Sequence, residues 1–210
     1  MIPLDSLLTF IAASVLLALA PGPDNLFVAA QSALYGARAG LIVTLGLCSG
    51  LIVHTSAVAL GVAVVFQTSA IAFTLLKIAG ALYLGWLAWQ VFRAPVGESG
   101  APQVPAMKAA ALYRRGILMN VTNPKVSVFF LAFLPQFASP AQGPVALQVF
   151  QLGAWFMLSA FLVFSVIALT AGKLAQRLGH SAKVQRWLNR TAGLVFTLMA
   201  LRLLSSSQIG

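Results

Sequence analysis

Six long apolar stretches dominate this chain, and each approaches or exceeds the length that crosses a lipid bilayer. They run over residues 4–35 (interrupted), 40–66, 73–92, 116–137, 145–171 and 187–204. A helix rises about 1.5 Å per residue, so roughly 20 apolar residues cover a hydrocarbon core of about 30 Å. Composition agrees with spans rather than buried core helices. Of 210 residues, 60% are hydrophobic and 8% charged, whereas a soluble domain carries roughly 25% charged residues to meet water. Most of the outer surface is therefore expected to face lipid, and the fold class is an all-α polytopic membrane protein.

A formal net charge of +10, from thirteen Lys and Arg against three acidic residues, invites a nucleic-acid partner. The placement of the charges argues against it, because they sit between apolar runs rather than on a basic, aromatic-interleaved face. Arg38 lies in the first connection, Arg93, Lys108, Arg114 and Arg115 in or beside the third, and Lys173, Arg177, Lys183, Arg186 and Arg190 around the fifth. The second connection (67–69) and the fourth (138–144) carry no charge. Positively charged loops stay in the cytoplasm, so connections one, three and five are expected inside and both termini outside, in a bacterial inner membrane. The first apolar stretch lacks the basic leader of a signal peptide and carries Asp5, so it reads as a retained helix.

The third connection, 94–113, contains Pro95, Pro102, Pro105, Gly97 and Gly100 and reads as a cytoplasmic linker. It separates a first three-helix repeat, residues 1–93, from a second, residues 114–210. An odd number of spans per half inserts the halves in opposite orientations, the plan of an inverted repeat. Both halves open with a span broken by proline followed by a charge: Pro23-Asp24 and Pro124-Lys125.

Pro21-Gly22-Pro23-Asp24-Asn25 is the most informative segment. Proline in a helix interior removes a donor and clashes with the preceding turn, at about 3 kcal/mol. Backbone freed this way cannot face lipid and must lie in protein or along a wet cavity. Asp24 costs about 3 kcal/mol near a bilayer centre, and Asp5 and Glu98 read as interfacial. Asp24 can accept a proton or hold a substrate ammonium; it can equally cap the resumed helix or complete a structural ion pair. Asn120, Thr122, Asn123 and Lys125 surround the second break at Pro124. A zwitterion needs a cation for its carboxylate and an anion for its ammonium, and Lys125 and Asp24 supply one each, with Asn25, Asn120 and Asn123 as uncharged partners. A purely structural Asp–Lys pair or a snorkelling lysine is the alternative.

Gly46 and Gly50 are spaced for close helix packing, within one chain or in a homo-oligomer, and His54 follows one turn later as either a proton relay or a hydrogen-bonded neighbour. Lys77 reads as snorkelling, Trp86, Trp89 and Trp187 as interfacial anchors, and Gln136 as either a helix end or part of an exit path. Cys48, the single cysteine, can form no intrachain disulfide and reads as packing. No residues have metal-ligand spacing, and no metal or cofactor is expected.

Together these motifs resemble the LysE/RhtB family of amino-acid exporters. The likeness rests on Ala20-Pro21-Gly22-Pro23-Asp24-Asn25, Gly36, Gly40, Gly46, Gly50 and His54, and Leu76-Lys77-Ile78-Ala79-Gly80-Ala81-Leu82-Tyr83-Leu84. It continues in Gly116-Ile117-Leu118-Met119-Asn120, Asn123-Pro124-Lys125 and Phe129-Phe130-Leu131-Ala132-Phe133-Leu134-Pro135-Gln136-Phe137. It implies a secondary transporter that moves an amino acid outward, driven by the proton gradient or the membrane potential, and not an enzyme. The alternatives are an ion or small-solute permease on the same scaffold and an intramembrane enzyme. The permease would want more buried carboxylates or thiols, and the enzyme a second buried carboxylate or a metal motif.

Overall fold

The computed structural model describes residues 2–68, 70–93, 107–178 and 182–205. Among them are eight α-helices and no strand: α1 (Leu4–Leu19), α2 (Pro23–Tyr35), α3 (Ala37–Thr68), α4 (Ala70–Arg93), α5 (Ala109–Val121), α6 (Pro124–Val128), α7 (Val145–Leu178) and α8 (Ala182–Ser205). Between α6 and α7 the chain passes through a π-helical turn, Phe129–Phe133, and two 3-10 turns, Leu134–Phe137 and Pro140–Gln142.

The apolar windows Ala37–Gly61 and Val145–Ala171 are each long enough to cross a membrane. The pair α1–α2, bent by 59°, and the pair formed by α5 with Pro124–Phe137, bent by 49°, each qualify when taken as one broken span. Helices α4 and α8 cover the third and sixth apolar stretches with 24 residues each, about 36 Å of helix. Exposed leucines and isoleucines such as Leu45, Ile52, Leu60, Leu158, Leu162 and Leu169 line the outer faces of α3 and α7, as a lipid-facing surface requires.

Helices from the two sides of residues 94–106 interleave. Helix α3 packs along α5 and α7, α4 pairs with α8, and α1 lies against α7 and α8. Helix α2 is wedged between α3 and α7. Small residues permit the closest approaches. A Cβ on Gly46 would collide with the Tyr113 carbonyl and come within 3.0 Å of Gly116 Cα. Gly153 on α7 faces Thr55 with no room for a side chain. Cys48 is buried between α3 and α7, its Sγ 4.0 Å from Met157 O.

Helix α5 starts at Ala109, seven residues before the apolar stretch at 116 begins. Arg114 and Arg115 delayed the expected start, but both are exposed, so their charge does not oppose helix formation. Residues 94–106 of the expected linker, Ser69 and His180 lie outside the described residues. So do the side chains of Lys77, Lys173, Arg177, Lys183 and Arg202.

Candidate functional site

The first break follows from the chemistry of Pro21-Gly22-Pro23. Helix α1 closes with Ala20 N donating to Leu16 O at 3.0 Å. Pro21 has no N–H to continue the ladder. Gly22 is fully extended at φ −175°, and Pro23 opens α2 at its first position, where a missing N–H costs nothing. The carbonyls left at the end of α1 find partners from outside it. Asn25 Nδ2 donates to Ala18 O at 2.6 Å. Lys125 Nζ donates to Leu17 O at 3.3 Å and to Ala20 O at 3.0 Å. A Cβ on Gly22 would lie 3.1 Å from that Nζ, so the glycine leaves room for the ammonium.

The second break is built the same way with different residues. Asn123 caps α6, its Oδ1 accepting from Lys125 N at 3.0 Å, and Pro124 takes the first helical position. At the end of α5, Leu118 O accepts from Thr122 N at 3.0 Å and from Thr122 Oγ1 at 2.7 Å. Asn120 O accepts from Asn123 N at 3.0 Å and lies 3.1 Å from His54 Nε2. A carbonyl only accepts, so that ring nitrogen carries the proton.

Electrostatics crosses between the breaks. Asp24 sits in the first turn of α2, the positive end of that helix dipole. Lys125 sits in the first turn of α6, the wrong end for a cation, and is bonded instead at the negative end of α1. Both are buried, Asp24 at 1% exposure and Lys125 at 6%. They feel each other's charge, and the carboxamides of Asn120 and Asn123 and the ring of His54 also lie within electrostatic reach of Asp24.

Asp24, Asn120 and Lys125 line one cavity together with Leu17, Ala18, Leu51 and Phe156. Its volume is about 10 Å³, room for roughly one water. Asp24 Oδ1, Asn25 Oδ1, Asn120 Oδ1 and Asn123 Nδ2 are buried there or beside it without a hydrogen-bond partner among the described residues. Buried polar atoms are ordinarily paired, so several unpaired ones at one place mark a group of side chains awaiting another partner.

Gly50 and His54, both marked by the sequence, contact Asn120 of this centre. Gly50 faces Asn120 so closely that a Cβ would come within 2.8 Å of its Cβ and Oδ1. His54 is half-buried, and its ring stacks 5.6 Å from Phe130. Gln136 is half-buried, its Nε2 donating to Ala132 O within its own turn.

A cluster of phenylalanines, which the sequence marked only through the family likeness, packs against Phe156 of the cavity wall. Phe129 and Phe130 each lie 5.0 Å from Phe156, and Phe10 lies 5.2 Å from Phe137. The π-helical turn that carries Phe129, Phe130 and Phe133 buries those three rings, and such turns recur at functional sites. Its all-apolar run has no alternation that separates it from an ordinary helix. Among the described residues no three of His, Cys, Asp and Glu gather as a metal site.

Apolar membrane-length helices, two of them broken around buried opposite charges, define a polytopic helical membrane protein with a polar centre. The chain belongs to the LysE type translocator family, whose model matches residues 15–207. The homoserine/homoserine lactone efflux protein of Salmonella typhi is 33% identical over 197 residues, 94% of this chain and 95% of that protein. A membrane protein of Vibrio cholerae is 36% identical over 135 residues, 64% of this chain and 66% of its own. The leucine efflux protein of Salmonella choleraesuis is 26% identical over 196 residues, 93% of this chain and 92% of the relative. No solved structure matches the chain.

Proposed function

We propose that this protein is a secondary transporter of the bacterial inner membrane that exports an amino acid or a close derivative. One observation carries the proposal: Asp24 and Lys125, opposite charges from two broken helices, line a single buried cavity, and Asn25 Oδ1, Asn120 Oδ1 and Asn123 Nδ2 at or beside it lack a partner among the described residues. A zwitterion meets both charges with one molecule. Its carboxylate replaces the α1 carbonyls at Lys125 Nζ, and its ammonium takes Asp24. Asn25, Asn120 and Asn123 supply the neutral donors and acceptors that orient it. The names of the homoserine and leucine efflux relatives support this substrate class.

The cavity is too small for any amino acid, so loading requires the helices to part. Binding itself helps, because a carboxylate that draws Lys125 from Leu17 O and Ala20 O releases both hydrogen bonds by which that side chain holds the end of α1. Six spans in two inverted repeats, 1–93 and 114–210 joined by 94–113, give such a motion a symmetric frame. The pairing of α3 with α7 and of α4 with α8 supports that frame, since each joins the equivalent helices of the two repeats. The basic connections then lie in the cytoplasm with both termini outside. Asp24, with His54 near it, takes up a proton from outside in exchange for substrate, or the membrane potential alone drives export. Cells loaded with mixed amino acids and producing the protein test the proposal. One or more should leave faster than from control cells, and no difference for any of them rejects it.

A further inference from the structure

The buried face of α2 does not end at Asp24. Its buried residues are Asp24, Asn25, Val28, Gln31 and Ser32, spaced 0, 1, 4, 7 and 8 along one helical stripe. Four of the five are polar, while Leu26 and Leu34 on the other side are exposed. A helix that only filled space between α3 and α7 would turn its apolar side inward.

Gln31 is 0% exposed, and neither its Oε1 nor its Nε2 has a hydrogen-bond partner among the described residues. The hydroxyl of Ser32, 3% exposed, is also unpartnered among the described residues. Most buried hydroxyls near the site behave differently, although Ser165 Oγ on α7 is likewise without a partner among the described residues. Ser14, Thr44, Thr55 and Ser159 each donate to the carbonyl four residues back, the ordinary resort of a hydroxyl in a helix. Ser32 does not.

Gln31 stands about 10 Å along the helix axis from Asp24, toward Gly36 and the exposed Arg38. Small residues meet there: a Cβ on Gly40 of α3 would strike Ser32 Oγ and lie 3.0 Å from the Ala168 Cβ of α7.

We infer that Gln31 and Ser32 form a second, uncharged binding station on the cytoplasmic side of the Asp24–Lys125 cavity, where the exported amino acid pauses on its way in. Gln31 Nε2 and Ser32 Oγ donate to its carboxylate and Gln31 Oε1 accepts from its ammonium. With no charge of its own, the station holds the solute weakly and passes it on. The inference rests on the export proposed above.

Water access at this position tests the station separately from transport. In a Cys48→Ala background, Gln31→Cys, the near-isosteric Ser32→Cys and, as a control, Val43→Cys (0% exposed on α3) are placed in inside-out and right-side-out membrane vesicles. A cationic, membrane-impermeant methanethiosulfonate reagent is then added. Reaction at residues 31 and 32 is expected to be about tenfold faster than at Val43→Cys in inside-out vesicles, because reactivity follows access. Saturating L-homoserine or L-leucine, whichever the protein exports, should slow it. If Gln31→Cys does not insert, Ser32→Cys decides alone. Rates equal to that of Val43→Cys, or faster reaction from the outer face, overturn the station. Fast, protected labelling combined with normal export by Asp24→Asn would instead leave the station standing and remove Asp24 from the transport mechanism.

Discussion

Lys125 Nζ donates to Ala20 O at 3.0 Å, so the cation of the second broken helix closes the carbonyl end of the first. The two residues are 105 positions apart in the chain, and the bond holds the two breaks against each other. Asp24 shares the cavity but leaves its Oδ1 unpartnered. The lysine thus serves as a latch for α1 while remaining the counter-charge of a carboxylate it does not fully satisfy.

Replacing that latch exposes both of its roles. Lys125→Met keeps most of the length of the side chain but strands Leu17 O and Ala20 O, at about 1–3 kcal/mol for each unsatisfied group, and removes the positive charge that acts most strongly on Asp24 among its electrostatic partners. The melting temperature in detergent is expected to fall and export to vanish. Adding Asp24→Asn removes the stranded charge, so the double variant should melt higher than Lys125→Met alone. Strictly additive losses would show that the two side chains are not coupled.

Asp24→Asn alone keeps the volume and the helix position while deleting the charge. It is expected to insert and melt within a few degrees of the parent, yet to lose at least about 90% of export, equivalent to roughly 1.4 kcal/mol or more of lost stabilisation. Export rates normalised to the amount of inserted protein measure this. A parental rate in that variant would mean that the carboxylate does not handle substrate.

Gly50→Ala drives a Cβ to 2.8 Å from Asn120 Cβ and Oδ1, where helix α3 meets the end of α5. Overpacking of this kind costs about 1–3 kcal/mol, and here it also displaces a cavity-lining carboxamide. Gly61→Ala, on the same helix with nothing within 4 Å, should instead be neutral or stabilise by about 0.5–1 kcal/mol through reduced chain entropy. Thermal unfolding of the pair separates contact from propensity: equal shifts would mean that the Gly50 contact does not bear on stability.

The breaks were legible because proline leaves a definite gap in a hydrogen-bond ladder, and Pro21, Pro23 and Pro124 fall inside otherwise apolar runs. Asp24 and Lys125 stood out because a charge there is expensive. The partner of Lys125 was not legible: its bonds to Leu17 O and Ala20 O depend on how two helices cross, not on local sequence. The start of α5 was hidden by Arg114 and Arg115, whose charge ended the apolar count although the helix runs through them. The π-helical turn at Phe129–Phe133 carries no periodic signal. Gln31 and Ser32 were readable at seven and eight positions from Asp24, but uncharged polar residues raise no alarm until their hydrogen bonds are counted.

Under the proposed exchange with protons, His54 is the candidate relay beside the carboxylate. Its Nε2 donates to Asn120 O at 3.1 Å, and Asn120 lines the cavity beside Asp24. On the proposed mechanism, a proton taken by Asp24 would cancel the charge that holds a substrate ammonium, so proton and substrate would compete for one group. In substrate-loaded proteoliposomes with acid outside, the parent should release substrate faster and acidify the lumen as protons enter in exchange. His54→Gln, which keeps an N–H donor but cannot titrate, should retain exchange of labelled for unlabelled substrate and lose the response to the gradient. Asp24→Asn should lose both. Release by the parent that ignores the gradient, with no change in internal pH, would eliminate protons from the cycle and leave the membrane potential to drive export.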